Sequence, residues 1–91
     1  MTIEEQFEAF HAANPHIMRR LVEIAWQAKA AGRNQMGIAL LWERMRWDLF
    51  VESQGDEYKL NNNYRSHYAR KIMADHPMLR GMFHTRELRA A

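Results

Sequence analysis

The sequence contains no cysteine, so neither a disulfide framework nor a thiolate metal site is available, and a stapled secreted scaffold is excluded. Apolar residues never run together over the roughly 18 positions that a bilayer-spanning helix needs. Met1 to Glu5 lack the basic-then-apolar form of a signal peptide. These absences predict a cytoplasmic chain that does not engage a membrane. Only two prolines and four glycines occur, all at plausible element boundaries, and no linker, internal repeat or low-complexity tract interrupts the chain. A single domain over residues 1–91 is expected. There is no glycine-rich phosphate loop, Ser53 and Ser66 have no nucleophile-elbow context, and no thiol is present, so an enzyme is not expected.

What the chain does hold is a near-average globular mixture, 47% hydrophobic and 26% charged, enriched by seven Met and three Trp. Its charge is unevenly spread. Residues 1–58 carry six Lys and Arg against nine Asp and Glu, a net of −3, whereas residues 59–91 carry seven against two, a net of +5. A basic C-terminal third suggests a local patch for a polyanion, of which nucleic acid is the commonest; mutual neutralisation of the two halves within the fold is the alternative.

Helical periodicity dominates. Thr2-Ile3-Glu4-Glu5 has the form of a capping box, with Ile3, Phe7 and Phe10 on one face, and predicts a first helix over about 3–13. Asn14-Pro15 is a second start signal, followed by Ile17, Leu21, Ile24, Ala25 and Ala28 on one stripe and by Gly32 as a left-handed stop, giving a helix over about 15–31. A third helix, over about 36–51, carries Ile38, Leu41, Trp42, Met45 and Leu49 at helical spacing. Trp47 and Phe50 fall partly off that stripe, which predicts that this helix is packed on more than one side. A loop of about ten residues follows, and Tyr64, Tyr68, Ala69 and Ile72 then mark a fourth helix over about 63–74 that Pro77 brings to an end. Met78 to Phe83 is short and apolar, and Thr85 to Arg89 fits either a helical turn or an extended arm.

In the fourth helix, core-facing Tyr64, Tyr68 and Ile72 leave Arg65, Ser66, Arg70 and Lys71 outward, beside Asn61, Asn62 and Asn63 and preceded by Lys59. That is the composition of a groove-reading helix. Arg and Lys neutralise phosphates, Arg binds guanine bidentately, and Asn binds adenine bidentately or donates to phosphate from a helix start. A capped, solvated helix with an ordinary basic face is the competing reading. Arg80, Arg86 and Arg89 extend the basic stripe. The five His show no zinc-site spacing, and the carboxylate pairs Glu4-Glu5 and Asp56-Glu57 fall in a helix N-terminal turn and in a loop, so no metal or cofactor is expected.

Several strings taken together, Phe10-His11 with Asn14-Pro15-His16, Leu41 to Trp47, Lys59 to Tyr64 with Ser66, Tyr68-Ala69-Arg70 and Ile72, and finally Gly81, Phe83 and Arg86, resemble a family of small, mostly uncharacterised proteins encoded in bacteriophage and prophage genomes. The resemblance implies DNA binding with helix-turn-helix or winged-helix character. Here the third and fourth helices are separated by more than the three- or four-residue turn of that motif. The expected fold is all-α: four helices, of which the second to fourth form a trihelical, helix-turn-helix-like core, plus a short C-terminal segment. Two partner classes follow. One is duplex DNA, held by the basic fourth helix of a possible dimer. The other is a host protein, bound and modulated through a surface formed by Trp26, Trp42 and Trp47 with Met18, Met36, Met45 and Met82, residues that would otherwise be core. Three Trp are difficult to bury entirely in so small a chain.

Overall fold

A computed structural model describes residues 1–53 and 60–83. In chain order its elements are α1 (Ile3–Ala13), α2 (Pro15–Ala30), α3 (Ile38–Glu52), a single 3-10 turn (Asn62–Tyr64), α4 (Arg65–Asp75) and a second 3-10 turn (Pro77–Leu79). The fold is all-α.

The first helix starts where the sequence places it. Thr2 Oγ1 accepts from the Glu5 amide at 3.2 Å, and Glu5 Oε1 accepts in return from the Thr2 amide at 3.2 Å. Both bonds satisfy amides that would otherwise lack partners. Between α1 and α2, Asn14 acts differently from expectation. Its side chain makes no capping bond to α2; Asn14 Nδ2 instead donates to the Phe10 carbonyl at 3.0 Å, and its backbone amide donates to the carbonyls of Phe10 and His11. The orphan carbonyls ending α1 have claimed the Asn14 side chain and amide, while the Ile17 amide in the first turn of α2 donates to the Asn14 backbone carbonyl at 3.1 Å.

At the other end of α2, Gly32 takes φ +96°, the left-handed conformation that favours glycine. The amide of Arg33 reaches the Ala28 carbonyl, and that of Gly32 reaches Lys29, both at 3.0 Å. This pair of bonds is a Schellman closure. The chain then turns back, and α3 packs antiparallel on α2, with Arg20 on α2 paired to Glu52 at the far end of α3. The start of α3 lies at Ile38, two residues later than the periodicity suggests. Met36 is buried in front of the helix, and its amide is taken by the Met82 carbonyl at 2.9 Å, a long-range bond that competes with helical extension.

The helices α2, α3 and α4 all touch one another and form the trihelical core, with α1 laid against α2. The core contains Ile17, Leu21, Leu41, Trp42, Met45, Tyr68, Ala69 and Ile72, every one fully buried. Leu79, Met82 and Phe83 close it from the C-terminal side, and Lys29 Nζ donates to the Met78 carbonyl at 2.6 Å, which ties the second 3-10 turn to α2. Phe7 joins α1 to α4. Its ring lies 4.8 Å from Tyr68 edge-on, 5.2 Å from His67 and 5.9 Å from Tyr64.

Candidate functional site

The basic helix is α4, and its surroundings determine what its polar side chains can reach. Along its eleven residues only Ala74 and Asp75 are exposed; Arg65, Ser66, Arg70 and Lys71 are half-buried. Asn61 Oδ1 accepts from the Asn63 amide at 2.9 Å and so caps the 3-10 turn that leads into α4. Asn62 turns inward. Its Oδ1 accepts both from Trp42 Nε1, at 3.0 Å, and from an Arg46 guanidinium nitrogen, at 2.8 Å. Arg65 Nε donates to the Asn62 carbonyl at 3.2 Å, the Asn63 carbonyl lies 3.3 Å from His67 Nδ1, and Lys71 pairs with Asp75 at 3.5 Å. The exposed residues of the group are thus Asn61, Asn62 and Asn63, and the first two have their side-chain oxygens committed to the fold. Lys59, Arg86 and Arg89 lie outside the described residues, and Arg80 is exposed beyond α4.

The apolar half of the expectation divides differently. Met18, Met36, Met45 and Met82 are all buried, as is Trp42, so these five belong to the core. Trp26 on α2 is 38% exposed, and Trp47 on α3 is 62% exposed. α3 packs against both α2 and α4, but not through Trp47 and Phe50, the residues from which a second packed side was expected. Those two residues face solvent, stacked on each other with ring centroids 5.8 Å apart. Val51, at 55% exposure, lies one turn beyond Trp47, and Leu40, at 53%, lies two turns before it, separated from it by the exposed Glu43 and Arg44. Positions 40, 47 and 51 recur at helical spacing on the side opposite Leu41, Trp42 and Met45.

Charge lies between Leu40 and the Trp47 patch and along its flank. Arg44 Nε bonds Asp48 at 3.2 Å, and Glu43 lies 3.9 Å from Arg46. Arg46 therefore links the outer border of α3 to the Asn62 knot beneath α4. Sequence reasoning did not single out Leu40 and Val51 as surface residues, nor the bond that Arg46 makes to Asn62. The available signal was the composition of α3, which is apolar on more faces than one core requires, so that one apolar face is left outward.

No protein-family model, curated protein or solved structure matches the chain. Among the described residues no helix is long and apolar enough to cross a membrane, and no three His, Asp or Glu side chains converge on a metal-sized site.

Proposed function

We propose that the chain is a protein-binding module whose contact surface is the outer face of α3. One observation carries this reading: Trp47, Phe50 and Val51 form an exposed apolar patch on the C-terminal half of α3, with Leu40 exposed two turns before Trp47 beyond the charged Glu43 and Arg44. Scattered exposed apolar residues are ordinary, but a patch that holds two stacked aromatics with charge beside it has the make-up of an interface centre, where Trp and Phe are enriched. The host protein implied by the phage resemblance and a second copy of the chain are both partners of this kind.

The test is site-specific photocrosslinking in cells that express the full chain. A benzoylphenylalanine at position 47 is expected to give discrete protein adducts. The same group at Glu8, exposed on α1, is expected to give none. Equal labelling at both positions, or no adduct at 47, overturns the reading.

Duplex DNA binding through α4 is the second reading. It is favoured by the net +5 of residues 59–91, and it requires half-buried side chains already holding partners in the fold to turn toward phosphate or base.

A further inference from the structure

We propose that the partner on the α3 face is a second copy of this chain, paired antiparallel about a twofold axis that crosses α3 at the level of Arg46. The inference rests on the protein-binding reading above and adds the occupant. Its basis is the charge pattern of that face.

A twofold axis perpendicular to a helix returns each flank of that helix to the same flank of its partner, running the other way. On one flank of this face of α3 lie Arg44 and Asp48, one turn apart and paired at 3.2 Å. Reversal about Arg46 sets Arg44 opposite the partner's Asp48 and Asp48 opposite the partner's Arg44, so the two ion pairs become one alternating ring of four charges. The same operation sets Leu40 opposite the partner's Val51. It brings the two Trp47 side chains together near the axis. On the remaining flank Glu43 comes level with the partner's Phe50, and its carboxylate is drawn aside by Arg46 at 3.9 Å.

Leu40, Val51 and Trp47 thus meet apolar residues, and each charge on the first flank meets its opposite. Antiparallel helices also align their dipoles favourably. An unrelated partner would need to supply this charge pattern independently, whereas a second copy carries it by symmetry. Fifteen residues at about 1.5 Å rise make α3 a contact of modest length, so the dimer is expected to be reversible and visible in the micromolar range.

The decisive measurement is sedimentation velocity of the full chain over a concentration series, with far-ultraviolet circular dichroism on each variant to establish folding. The wild type is expected to pass from monomer to dimer. Arg44→Asp places like charges against the partner's Asp48 and is expected to weaken association about tenfold. Adding Asp48→Arg restores the alternation and is expected to return most of it. Orientation is read by disulfide trapping, which is clean because the chain has no native thiol. Leu40→Cys mixed with Val51→Cys should crosslink, and Leu40→Cys alone should not. A wild type that stays monomeric, a double variant that fails to recover while folded, or efficient trapping of Leu40→Cys with itself overturns the proposal. Monomeric wild type with a heterologous adduct at position 47 removes the second copy as occupant and leaves the protein-binding reading standing; absence of any adduct removes both.

Discussion

Asn62 illustrates how one side chain is claimed by the fold in place of a ligand. The Trp42 indole is fully buried, and a buried N–H without an acceptor costs about 1–3 kcal/mol. Asn62 Oδ1 is the acceptor printed into that position by the turn before α4. Asn62→Ala should therefore lower stability by about 1–3 kcal/mol in urea unfolding. Asn62→Asp, which keeps an oxygen beside Trp42 and adds a charge beside Arg46, should lose less than half as much; equal losses would show that the bond to Trp42 is not what holds Asn62. Trp42 and Trp47 make a second contrast five residues apart. Trp42→Ala empties a core site and should cost about 3–5 kcal/mol. Trp47→Ala should stay within about 0.5 kcal/mol when measured at concentrations where the chain is monomeric. Periodicity placed Trp42 correctly, since it lies on the same stripe as Leu41, Met45 and Leu49. It misassigned Trp47, because an apolar residue off the stripe reads the same whether another helix covers it or not.

Among the elements, α1 depends on one anchor. Phe7 is its buried residue, set among Tyr64, His67 and Tyr68 of the α4 region, with the His11 ring stacked 6.0 Å away. Phe7→Ala is expected to cost about 3–5 kcal/mol and to release α1 from a core that α2, α3 and α4 complete among themselves. Hydrogen exchange should then show lost protection over residues 3–13 with protection kept in α2 and α3. Uniform loss through all four helices would mean that α1 is integral to the cooperative unit. The opposite case is α4, whose Tyr68 and Ile72 are fully buried. Tyr68→Ala or Ile72→Ala should each remove about 2–5 kcal/mol, and a melting temperature within 2–4 °C of wild type, as a rough bound, would place α4 in the wrong rotation. The inward face of α4 was legible because Tyr64, Tyr68 and Ile72 repeat at helical spacing. Its half-buried flanks were not, since they depend on how closely α3 and the two 3-10 turns come against it, and no local pattern encodes that distance.

For the whole molecule, the question is whether the uneven charge acts outward or is spent within the fold. Arg65 is bonded to the Asn62 carbonyl and Lys71 to Asp75, while on the acidic side Glu52 is paired with Arg20 and Asp48 with Arg44. Exposed pairs of this kind contribute little to stability, but they lower the field that a phosphate backbone would meet. Binding of a labelled random-sequence duplex, followed by fluorescence anisotropy at two salt concentrations, should therefore be weak. It should also be nearly unchanged in the folded Arg65→Ala, Arg70→Ala, Lys71→Ala triple variant. A polyanion surface centred on α4 would behave otherwise: each neutralised phosphate adds close to one unit to the slope of log affinity against log salt, so losing three cations would flatten that slope by up to about 3. A steep slope in the wild type that collapses in the triple variant, with helicity preserved, would assign the basic face of α4 to nucleic acid. In that case an α3-paired dimer would carry two such faces on one particle, and the same titration repeated with Arg44→Asp would show whether pairing strengthens the grip on DNA.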